Sequence, residues 1–82
     1  MAVTVRYFAA ARAAAGAEEE TIDLPSGATV ADLVGGLAAR DAGLSTVLAR
    51  CSYLCDGVAV RDLLLVLHSG QTLDVLPPFA GG

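Results

Sequence analysis

The sequence predicts a small α+β domain, a mixed β-sheet crossed by one main helix and a short second helix. Three observations carry this. At 82 residues the chain is long enough for one hydrophobic core. Segments near both ends alternate apolar and polar residues, as half-buried strands do. Between them lies one long stretch with apolar residues at helical spacing.

Taken in order, residues 2–8 place Val3, Val5 and Tyr7 on one face and Thr4 and Arg6 on the other, which reads as a strand. Residues 9–15 are alanine-rich around Arg12 and stop at Gly16, as a short helical turn does. Residues 20–24 alternate again, with Ile22 and Leu24 inward, and Pro25-Ser26-Gly27 ends that strand. Thr29 stands where a helix N-cap belongs, and Asp32 faces the positive end of the helix dipole. Val30, Leu33, Val34 and Leu37 then form one buried stripe. Gly35-Gly36 in mid-helix costs roughly 1 kcal/mol per glycine relative to alanine, and a close approach of helix to sheet is expected to explain the pair. The helix is expected to end near Ala42-Gly43, with a second, short helix over 44–50.

From Ser52 the pattern turns strand-like. Asp56-Gly57 is a hairpin dipeptide between Tyr53-Leu54-Cys55 and Val58-Ala59-Val60. Leu63 to Leu67 is apolar on both faces, and His68-Ser69-Gly70-Gln71 turns into a last strand over 72–76. The order β-β-α-(short α)-β-β is that of a β-grasp sheet. In that topology the first and last strands pair in parallel at the sheet centre, an arrangement that element order alone does not fix. The domain is read as residues 1–76, with 77–82 an extended flexible tail.

Composition narrows the function classes. A net charge of −4 and a pI near 4.5 argue against phosphate-backbone binding. The five basic residues are all arginine, so no lysine exists for a Walker-type phosphate loop or for linking the chain to itself. No apolar run approaches bilayer length, and the first residues lack a signal-peptide pattern, so a cytoplasmic location is expected. Cys51 and Cys55 are too few for a disulfide scaffold and lack the further ligands of a zinc site; they read as small core residues. His68, the only histidine, reads as a turn-surface residue, and no metal site is expected. The triplet Glu18-Glu19-Glu20 reads first as a solvated face, with steering toward a basic partner as the alternative.

The most informative segment is the last one, Leu76-Pro77-Pro78-Phe79-Ala80-Gly81-Gly82. Two glycines without side chains can enter a channel too narrow for any other dipeptide. The diproline cannot continue a strand ladder and favours extended geometry. Six residues fully extended reach on the order of 20 Å, so the segment can deliver the Gly82 carboxylate into another protein's active site.

Residues 73–82, with Pro-Pro-x-x-Gly-Gly at their end, closely resemble the MoaD/ThiS family of ubiquitin-like sulfur carriers, in particular its molybdopterin synthase small subunits. The start, Val5-Arg6-Tyr7-Phe8-Ala9 through Arg12 to Gly16, and the helix entry Thr29-Val30-Ala31-Asp32-Leu33 are also similar to that family. The chain departs from it at Gly70-Gln71-Thr72, where Gly-Asp-Glu is common, in the apolar stretch Leu63 to Leu67, and at Phe79. The resemblance implies a cycle. A ubiquitin-activating-type enzyme adenylates the Gly82 carboxylate with ATP and magnesium, and a sulfur donor replaces AMP to leave a thiocarboxylate. In the large synthase subunit this group gives its sulfur to a cyclic pyranopterin monophosphate during molybdenum cofactor synthesis. The chain itself would bind no cofactor and carry no independent catalytic machinery. Gly81, Ala80, Phe79, Pro78 and Pro77 would occupy the partner's channel. Phe8, Leu63, Leu65, Leu67 and Leu76 are the expected partner surface, on the sheet face away from the helix. Alternatives are a sulfur carrier for thiamin or cysteine synthesis, a ubiquitin-like protein modifier, or a binding module.

Overall fold

The alternation read from the sequence is seen directly in the burial of the first strand, where Val3, Val5 and Tyr7 are fully buried; near the other end of the chain Leu73 and Val75 are fully buried too, with Asp74 between them also buried. The computed structural model describes residues 1–78. Its elements are β1 (Ala2–Tyr7), α1 (Ala10–Ala15), β2 (Glu19–Asp23), α2 (Val30–Arg40), α3 (Ala42–Leu48), β3 (Ser52–Cys55), β4 (Val58–Ala59) and β5 (Thr72–Leu76). They form one mixed β-grasp sheet in the order β2-β1-β5-β3-β4. The first and last strands pair in parallel, from Thr4 opposite Thr72 to Tyr7 opposite Val75. β5 also pairs antiparallel with β3, so the strand that leads to the C-terminal segment is held on both sides.

The core lies between this sheet and α2 with α3. Tyr53 and Cys55 join the buried residues of β1 and β5, and face Val30, Leu33, Leu37, Leu44 and Leu48. Val34, expected in the buried stripe, is half-buried at its margin. At the entry of α2, Thr29 Oγ1 accepts from Asp32 N–H (3.1 Å) and Asp32 Oδ2 accepts from Thr29 N–H (2.9 Å), a reciprocal capping box. The α1 C-cap is Gly16 at φ 73°, whose N–H donates to Arg12 O (2.9 Å). Asp56 and Gly57 both have positive φ, as a tight two-residue hairpin between β3 and β4 requires.

Four sequence expectations need correction. The main helix ends at Arg40, before Ala42-Gly43, because extended Asp41 breaks it and its Oδ2 caps α3 through Leu44 N–H (2.9 Å). Gly35 and Gly36 are exposed, and a Cβ built on either meets nothing within 4 Å, so no close approach to the sheet explains them. The stretch Leu63 to Leu67 is not a strand. Its backbone straps the start of α2: the carbonyls of Leu63 and Leu65 accept from Ala31 N–H (2.8 Å) and Val30 N–H (3.0 Å). Helix-entry amides have no partner within their own helix, and this apolar loop supplies them. The packed body also extends past residue 76, because Pro77 is buried.

Candidate functional site

Geometry converges on the root of the C-terminal segment. β5 runs through the sheet centre, Leu76 ends it half-buried, and Pro77 is buried while Pro78 is exposed. The two prolines line a groove of about 470 Å³ with Ala10, Thr46, Val47 and Arg50. The predicted tail residues Phe79, Ala80, Gly81 and Gly82 lie outside the described residues. A second tie comes from Phe8, whose N–H donates to Val75 O (3.2 Å) and anchors the turn after β1 to the end of β5.

On the sheet face away from the helices, Arg6 and Asp74 sit opposite each other in the parallel register. Arg6 Nε and Nη2 donate to the two Asp74 carboxylate oxygens at 2.6 and 2.9 Å, a bidentate pair, and Asp74 is only 6% exposed. The Arg6 guanidinium also lies 5.7 Å from the Phe8 ring centroid. By register, Leu54 lies opposite Asp74, and Ser52 opposite Leu76. Phe8, Leu54 and Leu76 thus border a charged pair.

Of the expected partner residues, Phe8 and Leu76 belong to this face. Leu63 and Leu65 are exposed but elsewhere, beside α2 and the β4 edge. Leu67 is 1% exposed in the core and cannot contribute to any surface. Placing Leu63, Leu65 and Leu67 on the sheet face away from the helix misplaced all three. Leu54, Arg6 and Asp74 were missed, although the parallel pairing of first and last strands, once assumed, aligns Arg6 with Asp74.

The acidic triplet is more than a solvated face. Glu20 accepts from the Tyr7 hydroxyl and from Arg40 Nη1, both at 2.8 Å, joining β1, β2 and α2. The Arg40 hydrogen bond holds the Glu20 carboxyl below its ordinary range, and burial followed by the bond to Glu20 pushes Tyr7 up. Cys55 is buried and Cys51 half-buried, its Sγ–H donating to Val47 O (3.2 Å). Burial pushes both thiols up, away from the thiolate form. His68 is exposed in the turn before β5, where its backbone N–H donates to Gln71 Oε1 (2.8 Å). Among the described residues, no group of three or more His, Cys, Asp or Glu is placed to hold a metal ion. None of the described helices is long and apolar enough to cross a membrane. The arrangement is a central strand held on both sides and closed off by buried Pro77, with a mixed polar and apolar face beside it.

Comparison with known proteins agrees with this fold. The ThiS family model matches residues 5–82. The molybdopterin synthase sulfur carrier subunit of Chlamydomonas reinhardtii is 32% identical over 83 residues, covering 100% of both chains. The protein–protein complex of subunits 1 and 2 of the molybdopterin-converting factor from Helicobacter pylori contains a similar chain, with a TM-score of 0.75, 26% identity and 100% coverage of both. The small archaeal modifier protein 1 of Methanosarcina acetivorans is similar at a TM-score of 0.83 and 26% identity, covering 99% of this chain and 96% of that one.

Proposed function

This chain belongs to the ThiS family, and we propose that it is the sulfur carrier subunit of a molybdopterin synthase, with the Gly82 carboxylate as its reacting group. The observation that carries the reading is the full-length similarity to a sulfur carrier subunit of that synthase. A carboxylate is a poor electrophile until it bears a good leaving group. Adenylation by a ubiquitin-activating-type partner, using ATP and magnesium, would supply AMP as that group. A sulfur donor then displaces AMP, leaving a thiocarboxylate, a soft anionic nucleophile in the manner of a thiolate.

The acceptor is a cyclic pyranopterin monophosphate held by a large subunit, a partner suggested by the two-subunit Helicobacter complex. Water finally returns Gly82 to a carboxylate. In this reading the chain's own contribution is placement. β5 is hydrogen-bonded on both sides and closed off by buried Pro77, so the exposed Pro78 leaves from a fixed point of the sheet. Positioning of that kind matters because a misplacement of about 1 Å can cost on the order of 100-fold in rate.

A second reading, attachment of Gly82 to other proteins, is favoured by the similarity to a small archaeal modifier protein. Intact-mass measurement after incubation with the activating enzyme, ATP and a sulfur donor separates the two. The sulfur carrier gains the mass of one oxygen replaced by sulfur; a modifier appears as conjugates on other proteins. Deleting Gly82, or adding a residue after it, is expected to abolish sulfur loading with an unchanged circular-dichroism spectrum. Normal loading of the Gly82-deleted protein would refute the assignment. Loading without transfer to the pyranopterin substrate would redirect it to thiamin or cysteine synthesis.

A further inference from the structure

The two edges of the sheet are built differently. β2 presents Glu19, Glu20 and Asp23 along its five residues, a charged edge of the kind that discourages strand addition. β4, the opposite edge, is Val58–Ala59 and carries no charge. Of the exposed large apolar residues among those described, Val58 at 69% belongs to it, and Leu64 at 70% and Leu65 at 45% lie beside it. Val58, Val60, Leu64 and Leu65 border a hollow of about 440 Å³ along this edge.

Backbone direction makes the edge specific. Val60 N–H donates to Tyr53 O (2.9 Å), toward β3. Strand alternation then turns the N–H and C=O of Ala59 the other way, off the sheet. A small residue with a free donor and acceptor at an edge can sit on a two-fold axis and exchange both hydrogen bonds with its own copy.

We propose that the β4 edge is a self-association surface, on which a second copy of this chain pairs antiparallel about Ala59. In that register Val58 meets the partner's Val60 on the side of the sheet that carries the helices. Arg61 falls opposite the partner's Gly57, one residue from the partner's Asp56. Among the described residues Arg61 makes no ion pair, and Asp56 is exposed, held by the N–H of Thr72 on its Oδ1 (2.9 Å). The two-fold forms this Arg61 to Asp56 complement twice, and that charge match identifies the occupant as a copy of the same chain. β5, from which the C-terminal segment leaves, is separated from this edge by β3. The dimer is weak, because β4 is only two residues long. The net charge of −4 on each copy opposes it, and added salt screens that repulsion and the Arg61 to Asp56 attraction alike.

The test is sedimentation of the full chain between about 1 µM and 1 mM, together with amide exchange at Ala59. A concentration-dependent dimer is expected, with Ala59 exchange slowed in the concentrated sample alone. Val58→Lys and Leu64→Asp alter exposed side chains, so the fold persists by circular dichroism while dissociation rises by about tenfold or more. Three results would overturn the proposal: a monomer throughout the range, a dimer indifferent to Val58→Lys, or Ala59 exchange independent of concentration. Protection of Ala59 by a purified large synthase subunit, with none by self-association, would also overturn it and give the edge to that partner.

Discussion

Replacing Gly35 and Gly36 by alanine should stabilise this protein. Both lie in the middle of α2, both are exposed, and neither has a positive φ that alanine could not adopt. Apart from the local helix backbone and the adjoining residues, no atom lies within 4 Å of a Cβ at either position, so the substitution meets no clash and gains no burial against the rest of the fold. What remains is the backbone term. Glycine in a helix interior is about 0.5–1 kcal/mol worse than alanine, chiefly because it leaves the unfolded chain more freedom to lose. The double substitution is therefore worth about 1–2 kcal/mol, which for a domain of this size raises the melting midpoint by roughly 5–15 °C. Guanidinium titration checks it: the midpoint should rise with an unchanged slope, since no surface exposed on unfolding is altered. A midpoint that stays or falls would refute the reasoning and mean that these glycines meet a neighbour, or a backbone geometry, absent from the α2 described above.

The Glu20 network makes stability pH-dependent. Its carboxyl is depressed first by the Arg40 hydrogen bond, so the contribution is fully present above the ordinary glutamate range and lost as pH falls through the depressed folded value. Unfolding free energies measured from neutral pH downward should show a shallower acid loss for Glu20→Gln than for the native chain, and equal slopes would remove Glu20 from that role. For the central ion pair, Arg6→Met leaves the buried Asp74 carboxylate without its bidentate partner and should destabilise clearly. The double variant Arg6→Met/Asp74→Leu should recover much of that loss, because no charge is then left buried unpaired. A double variant as unstable as the single one would place the effect in packing.

Much of the fold was legible because its signals are local. The strand signals in residues 2–8 and 72–76, the Thr29 and Asp32 cap, and the Asp56-Gly57 turn each depend on a few neighbouring residues, and each of these elements stands in the structure. Tertiary structure decided the rest. Periodicity says which face of a segment is apolar and is silent on what covers it, so an apolar run such as Leu63 to Leu67 reads as a strand when its carbonyls cap a distant helix. The same limit hid Leu67 in the core, left Gly35 and Gly36 open to solvent, and joined Arg6 to Asp74 across 68 positions of sequence. Hydrogen bonds and packing between distant segments are set by the path of the chain in space, and a local pattern carries no record of that path.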